Sequence, residues 1–417
     1  MYRKIEKLGF IVSIIFGLSI FTSKALQNLS GALLLLLMFT MLMMNIKEKK
    51  IWNNLKSKCD KELSVGLLIL LLLTLIVFII NFEGKTSMAR DITRYLTFFP
   101  LIYFIDTEDK IKKFLTALGA SGIISLLAAL GVFIKNYNVW NKTDGIVFYR
   151  VTFGMDPLAY AGVISIFMIF IFSFLFFMKT STKEKILLVL LICLGIFILL
   201  VNRGKTAYVS FIPALAYLCM VKSKKALLML LLACLIGFQF LPTQIKQRAT
   251  YIVNYEKDPS SMLRTYFWQG AIASIKEKPL IGFKSSERQK FLEEYYTKTG
   301  KKEYINKYFG DDYLEVHNTY LQYWVQFGGI VFLYLCFFLF ILIPKKIWKI
   351  KENTRSEYKI TRFLKHGVAA AFISYYISGL TETTILKQVT VYVFIILLMF
   401  VNYMSVKSKK YLNSYKI

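Results

Sequence analysis

The runs VGLLILLLLTLIVFII (65–80) and AGVISIFMIFIFSFLFFM (161–178) carry no charge and decide which solvent this chain folds in. In hydrocarbon every backbone N–H and C=O must find its partner inside the segment, and a helix of about 20 apolar residues does this while crossing the lipid. Runs of this kind recur along all 417 residues, 56% of which are hydrophobic, with a mean hydropathy of +0.52. The expected fold class is therefore an all-α integral membrane protein.

Twelve spans are expected, near 8–23, 29–46, 63–81, 91–105, 114–134, 157–178, 186–201, 206–221, 226–241, 318–343, 366–384 and 389–406. The fourth is short. The eleventh (GVAAAFISYYISGL) is rich in small residues, which suits close helix packing. Pro213 falls inside the eighth and predicts a kink there. The N-terminal MYRKIEK followed by LGFIVSIIFGLSIF has the look of a signal peptide. Because LSGALLLLLMFTMLMM follows at once and no small-x-small cleavage site is convincing, the first stretch reads as a retained span.

Lys and Arg number 53 against 25 Asp and Glu, a formal charge of +28. They are scattered through connectors, not gathered in a domain outside the membrane, so nucleic acid is not an expected partner and anionic headgroups are. Lysines follow every even-numbered span: Lys47 to Lys61, Lys110 to Lys113, Lys179 to Lys185, Lys222 to Lys225, and Lys345 to Lys365. The positive-inside rule makes that side cytoplasmic and places both termini there. The organisation expected is spans one to nine over 1–241, a long outward loop over 242–317, and spans ten to twelve over 318–417. Cys193, Cys219, Cys234 and Cys336 sit in apolar runs and Cys59 in a basic connector, so no disulfide framework is visible. With His317 and His366 the only histidines and no Cys/His cluster, neither a protein-built metal site nor a cofactor is expected.

The long loop is the only extended polar interval. DPSSMLRTYFWQGAIASIKEKP (258–279) places Leu263, Phe267, Ala271 and Ile275 at helical spacing after a serine cap. It predicts an amphipathic helix on the membrane surface, stopped before Pro279. SERQKFLEEYYTK (286–298) predicts a second helix, polar enough to sit over the site as a cover.

Candidate chemistry gathers around this loop. Arg203 closes span seven in ILLVNRGKTAYVSF, Arg264 stands one turn before Trp268, and Arg150 lies six residues before Asp156-Pro157. Each has a plain reading: a snorkelling anchor for Arg203, an arginine stacked on an aromatic for Arg264. Several guanidinium groups converging on one face would instead grip a diphosphate without a metal. His317, in DDYLEVHNTYLQYWVQFGG, is open to the same two treatments. It suits a solvated residue at a helix start, and it suits a base working near neutral pH, with Asp311, Asp312 or Glu315 as partners or rivals.

VNRGKTAYVSF, RTYFWQGAIASIKEKPLIGF and EVHNTYLQYWVQFGG resemble, in order and placement, three signature regions of the O-antigen ligase and O-antigen polymerase superfamily. RVTFGMDPLAYAG (150–162) is a fainter match to the stretch before span six. The resemblance implies a C-type, mostly helical glycosyltransferase whose donor is a glycan on undecaprenyl diphosphate and whose acceptor is a lipid or glycolipid. It implies catalysis by His317, donor diphosphate binding by Arg203, Arg264 and Arg150, support from Asn318, Trp268 and Glu315, and no metal. The site would face outward from the bacterial cytoplasmic membrane. The chain departs from the pattern at Asn202, where serine is usual, at Gln326, where an acid is usual, and at Lys284, where a second glycine is usual. Glycan transfer is thus the leading expectation, ligation ahead of polymerisation. A flippase or transporter stands second, since no ionisable residue near mid-span and no broken-helix pair is visible, and a noncatalytic scaffold third.

Overall fold

The computed structural model describes residues 2–44, 50–83, 87–142, 149–241, 243–250, 254, 256, 258–311, 313–352 and 359–414. Among them the regular structure is entirely helical. The first half runs α1 (Tyr2–Ser19), α2 (Lys24–Met44), α3 (Lys50–Lys58), α4 (Lys61–Ile80), α5 (Ser87–Leu96), α6 (Phe98–Phe104), α7 (Glu108–Lys135), α8 (Tyr137–Lys142) and α9 (Pro157–Phe177). Then come α10 (Thr182–Asn202), α11 (Lys205–Lys222), α12 (Lys224–Gln239) and α13 (Thr243–Thr250). The polar interval supplies α14 (Pro259–Glu277), α15 (Ser285–Lys298) and α16 (Lys302–Phe309), and the chain ends with α17 (Thr319–Phe337), α18 (Ile343–Lys349), α19 (Lys359–Gly379) and α20 (Gln388–Ser414).

Helices stand at all twelve expected positions, and seven of those described are long and apolar enough to cross a membrane. The others are shorter or more polar: α12 has 16 residues, and α11 carries lysine at both ends. The stretch 91–105 is not one span. It breaks at Thr97 into α5 and α6, because Pro100 has no N–H to give to Leu96. Local chemistry sets the starts of the spans. Asp60 caps α4, Asp156 with Pro157 starts α9, and Ser181 with Glu184 forms a capping box on α10.

The most enclosed spanning helix is α20, 94% of whose apolar window is buried; α9 follows at 67%. The helices around them keep a buried stripe inward and leave residues such as Leu72, Leu190 and Leu235 exposed, as lipid-facing surfaces require. At one end of the bundle Asp60, fully buried, accepts from Ser405 Oγ at 2.6 Å and pairs with Lys346 Nζ at 2.6 Å, joining α4, α18 and α20.

The opposite end carries the polar interval. Its helix α14 starts and stops where expected, although the cap is Asp258 rather than a serine. Its apolar face also differs from expectation. Leu263 and Phe267 pack on Leu292, Tyr296 and Tyr313, and Ala271 packs on Val316 and Val325, so the face is spent on protein rather than lipid.

α17 is broken at Gly328 (φ 80°, ψ 171°), inside the stretch 318–343 expected as one span. The break is a seat for the turn Pro279–Phe283. Gly329 N donates to Pro279 O at 2.7 Å, Phe283 N to Val325 O at 3.0 Å, and Trp324 Nε1 to Pro279 O at 3.0 Å. Backbone approaches backbone so closely that a Cβ on Gly328 would lie 1.9 Å from Leu280 O. The main-chain groups freed by the break are thus satisfied by the polar interval, which is locked onto the span behind His317.

Candidate functional site

Val316 is fully buried, its N–H held by Gln322 Oε1 at 2.9 Å, and Asn318 caps α17 by accepting from Tyr320 N and Leu321 N. Between these fixed points His317 adopts φ 52°, a left-handed conformation unusual for a residue with a side chain. Its ring lies against Phe267 and Phe309, with centroids at 5.9 and 5.6 Å. Only 14% of the side chain is exposed, and Nδ1 stands 3.5 Å from Glu315 Oε1 and 3.9 Å from Glu382 Oε2.

Glu382 comes from the connection between α19 and α20. Asn318 Nδ2 donates to Leu380 O at 2.9 Å, Thr319 Oγ1 to Glu382 O at 2.7 Å, and Thr384 N to Thr319 Oγ1 at 2.8 Å. Those bonds stitch the connection to the first turn of α17 and bring a buried carboxylate beside the histidine. Arg264 Nη2 donates to Glu382 Oε1 at 2.8 Å. Lys387 Nζ lies 3.2 Å from Glu315 Oε1 and 3.6 Å from Glu382 Oε2, and Thr383 Oγ1 donates to Glu315 at 3.2 Å. Burial, the largest influence on Glu382, works to raise its pKa. His317, Arg264 and Lys387 together outweigh it and hold the carboxyl below the usual range. Lys387 behaves conversely: burial opposes its charge, and Glu382, Glu315 and Asp156 prevail and push its pKa up.

Arg203 is not the surface anchor of its plain reading. It is fully buried as the left-handed C-cap of α10 (φ 58°), its guanidinium 4.1 Å above the Trp140 ring and its Nη2 donating to Trp140 O at 3.2 Å. Its neighbours carry the link to the histidine. Lys205 pairs with Asp258, the cap of α14, and donates to Ser261 Oγ at 2.7 Å, so the helix bearing Arg264 is pinned to the Arg203 junction. Thr206 meets Thr381 at 2.8 Å, one residue from Glu382. On the other side Asn202 Nδ2 donates to Val151 O at 2.7 Å and Pro157 O at 3.1 Å, which fixes the half-buried Arg150 segment beside the same junction. Asn202, a departure from the family pattern, is therefore a buried tie.

Trp268 is half-buried against Ala271, Val316 and Val325. Asn318 serves as the cap described above, and Glu315 as a partner of Lys387 and Thr383. Asp311 is exposed, and Asp312 lies outside the described residues. Glu382, Lys387 and Trp140 were absent from the sequence-derived set. Glu382 carried a signal, being the only acidic residue after Glu357, at the end of an apolar span.

One pattern marks the site. Among the described residues, Arg264 Nε, Trp268 Nε1, His317 Nδ1 and Glu382 Oε2 are buried with no hydrogen-bond partner. His317 Nδ1 and Glu382 Oε2 face each other at 3.9 Å with Lys387 Nζ 3.6 Å from the same oxygen, which leaves Arg264 Nε and Trp268 Nε1 as the two buried donors of the group beyond these ion pairs.

No protein among the curated sequences matches the chain. A family model described as O-Antigen ligase matches residues 187–336, a stretch that contains Arg203, Arg264 and His317 and stops before Glu382. The chain carries a domain of the O-antigen ligase family.

Proposed function

We propose that this protein is a membrane glycosyltransferase of the ligase type, moving a glycan from undecaprenyl diphosphate to a lipid or glycolipid acceptor at the outer face of the bacterial cytoplasmic membrane. The observation that carries the reading is the cluster of His317, Glu382 and Arg264, with His317 Nδ1 3.9 Å from Glu382 Oε2 and Arg264 Nη2 donating to Glu382 Oε1 at 2.8 Å, gathered where the matched domain meets the end of α19.

In this reading His317 is the base. Its Nδ1 faces the Glu315 and Glu382 carboxylates, leaving Nε2 as the nitrogen that takes the acceptor's hydroxyl proton. At 3.5 and 3.9 Å these are ion-pair separations, longer than hydrogen bonds. The carboxylates hold the ring and stabilise the imidazolium that forms. The deprotonated oxygen attacks the anomeric carbon from the face opposite the diphosphate. The carbon–oxygen bond to phosphate breaks with its electron pair, and lipid diphosphate departs with inversion at the sugar.

The departing charge needs positive groups already in place. Arg264 meets it with a guanidinium of which Nη2 serves Glu382 while Nε has no partner. Arg203, buried with its guanidinium 4.1 Å from the Trp140 ring centroid, and Arg150 join the diphosphate set on the strength of the family resemblance. The reading requires no metal.

The test is transfer by purified protein from undecaprenyl-diphosphate-linked glycan to a lipid acceptor, with and without EDTA. Acceptor glycosylation that survives EDTA supports the proposal. Growth of donor chains without acceptor would make the protein a polymerase, and movement of labelled donor across a bilayer without transfer would make it a flippase.

A further inference from the structure

An apolar cavity lies at the end of the bundle away from His317. α7 and α10 meet near their C-terminal ends, where Phe133 and Phe197 stack at 5.1 Å and Trp140 Nε1 donates to Val201 O at 2.8 Å. Towards their N-terminal ends they part, and a cavity of about 400 Å³ opens between them, floored by α9 and α20. Its lining is hydrocarbon except for Lys112 and Thr116, and side chains such as Leu115, Ile123, Leu188 and Leu191 are half-buried in it.

Its depth and its charge have a direction. From Lys112 to Ile123 on α7 is about 17 Å of helix rise, and from Met178 to Ile166 on α9 about 18 Å. Each is close to half of the ~30 Å hydrocarbon thickness. The cationic residues all stand at one mouth. Lys112 lines the cavity and pairs with Glu108; Lys179 follows Met178, and Lys359 precedes Ile360, both of which line it. Lys179 and Lys359 lie within electrostatic reach of each other, a repulsive arrangement. At the same mouth Thr180 Oγ1 is buried with no hydrogen-bond partner. This end is opposite the histidine, because α19 begins at Lys359 and ends beside Leu380 and Glu382.

We propose that this cleft is a specific site for an anionic diacyl phospholipid, one acyl chain lying in the cavity and the phosphate held between Lys112, Lys179 and Lys359. A cleft about one leaflet deep and cationic only at its mouth matches a lipid that is apolar along its length and negative at one end. A soluble phosphate would leave the hydrocarbon walls unfilled, and a zwitterionic lipid would leave the lysine pair without a counter-charge. The site is separate from the transfer chemistry and does not depend on it.

Gly119 provides the test. It lines the cavity, and a Cβ built on it meets nothing within 4 Å, so Gly119→Leu starts a side chain into the cleft from an open position and replaces a helical glycine. Delipidated full-length protein would be titrated with phosphatidylglycerol, phosphatidylcholine or glycerol phosphate, and read by native mass spectrometry and thermal unfolding. Phosphatidylglycerol is expected to be retained and to raise the unfolding temperature, while the other two do neither. Gly119→Leu should unfold no earlier than wild type in detergent yet lose retention of phosphatidylglycerol. Lys179→Glu with Lys359→Glu should weaken that retention at least about tenfold. Equal retention of phosphatidylcholine, stabilisation by glycerol phosphate alone, or undiminished phosphatidylglycerol binding by either variant would overturn the proposal.

Discussion

Glu382→Gln removes one charge from the centre of the site while keeping its shape. The pair it breaks is close and enclosed: 2.8 Å between Arg264 Nη2 and Glu382 Oε1, with side-chain exposures of 15% and 7%. At an effective dielectric near 20, two unit charges about 4 Å apart attract by ~4 kcal/mol. Desolvation of both ions offsets much of that, and deleting one partner strands the other, a change that costs about 3 kcal/mol at the lower end for such pairs. Each of Glu382→Gln and Arg264→Gln should therefore lower stability by about that amount, with the double variant less destabilised than the sum and a coupling of ~1–3 kcal/mol. Reversible unfolding of the four proteins in mixed micelles measures this. The sign with pH also follows. Glu382 is held below its unfolded pKa, so its contribution is complete above the unfolded value and is lost as pH falls through the folded one. The Glu382→Gln deficit should shrink in acid, below about pH 4. Additivity within ~0.5 kcal/mol, or a deficit that grows in acid, would refute the assignment of Glu382 as the partner of Arg264.

Three further outcomes are expected. Gly328→Ala places a Cβ 1.9 Å from Leu280 O at φ 80°, so the variant should lose more than the ~1–3 kcal/mol of backbone strain alone, read as earlier thermal unfolding or failure to assemble. Asn202→Ala leaves the Val151 and Pro157 carbonyls without their donor and should cost about 1–3 kcal/mol, with Asn202→Ser recovering part of it in the same assay. Arg264→Ala should slow glycan transfer by about 10²–10³-fold in single-turnover kinetics, the scale for losing a preorganised charge at a leaving group.

The positions of the spanning helices were legible because lipid leaves the backbone so few choices. A charge-free run such as 161–178 becomes a helix whatever its neighbours do. The break at Thr97 was legible in principle, through Pro100. The break at Gly328 was not, because its cause is the turn at Pro279–Phe283 arriving from the polar interval. The site divides in the same way. Arg203, Arg264 and His317 stand in local patterns at helix ends. Glu382 and Lys387 join them only because Asn318 and Thr319 bind the connection after α19, a pairing across more than sixty residues. The stacking of Arg203 on Trp140 is likewise a long-range contact, and it turns a surface reading into a buried one.

The central claim is that His317 removes the acceptor's proton, and the most direct measurement is the single-turnover rate of glycan transfer by His317→Ala beside wild type. Both would be purified in the same detergent and shown by thermal unfolding to be folded. The account predicts a loss of about 10²–10⁴-fold, the contribution of a general base, with donor binding retained through the arginines. Transfer by the folded variant at the wild-type rate would contradict it.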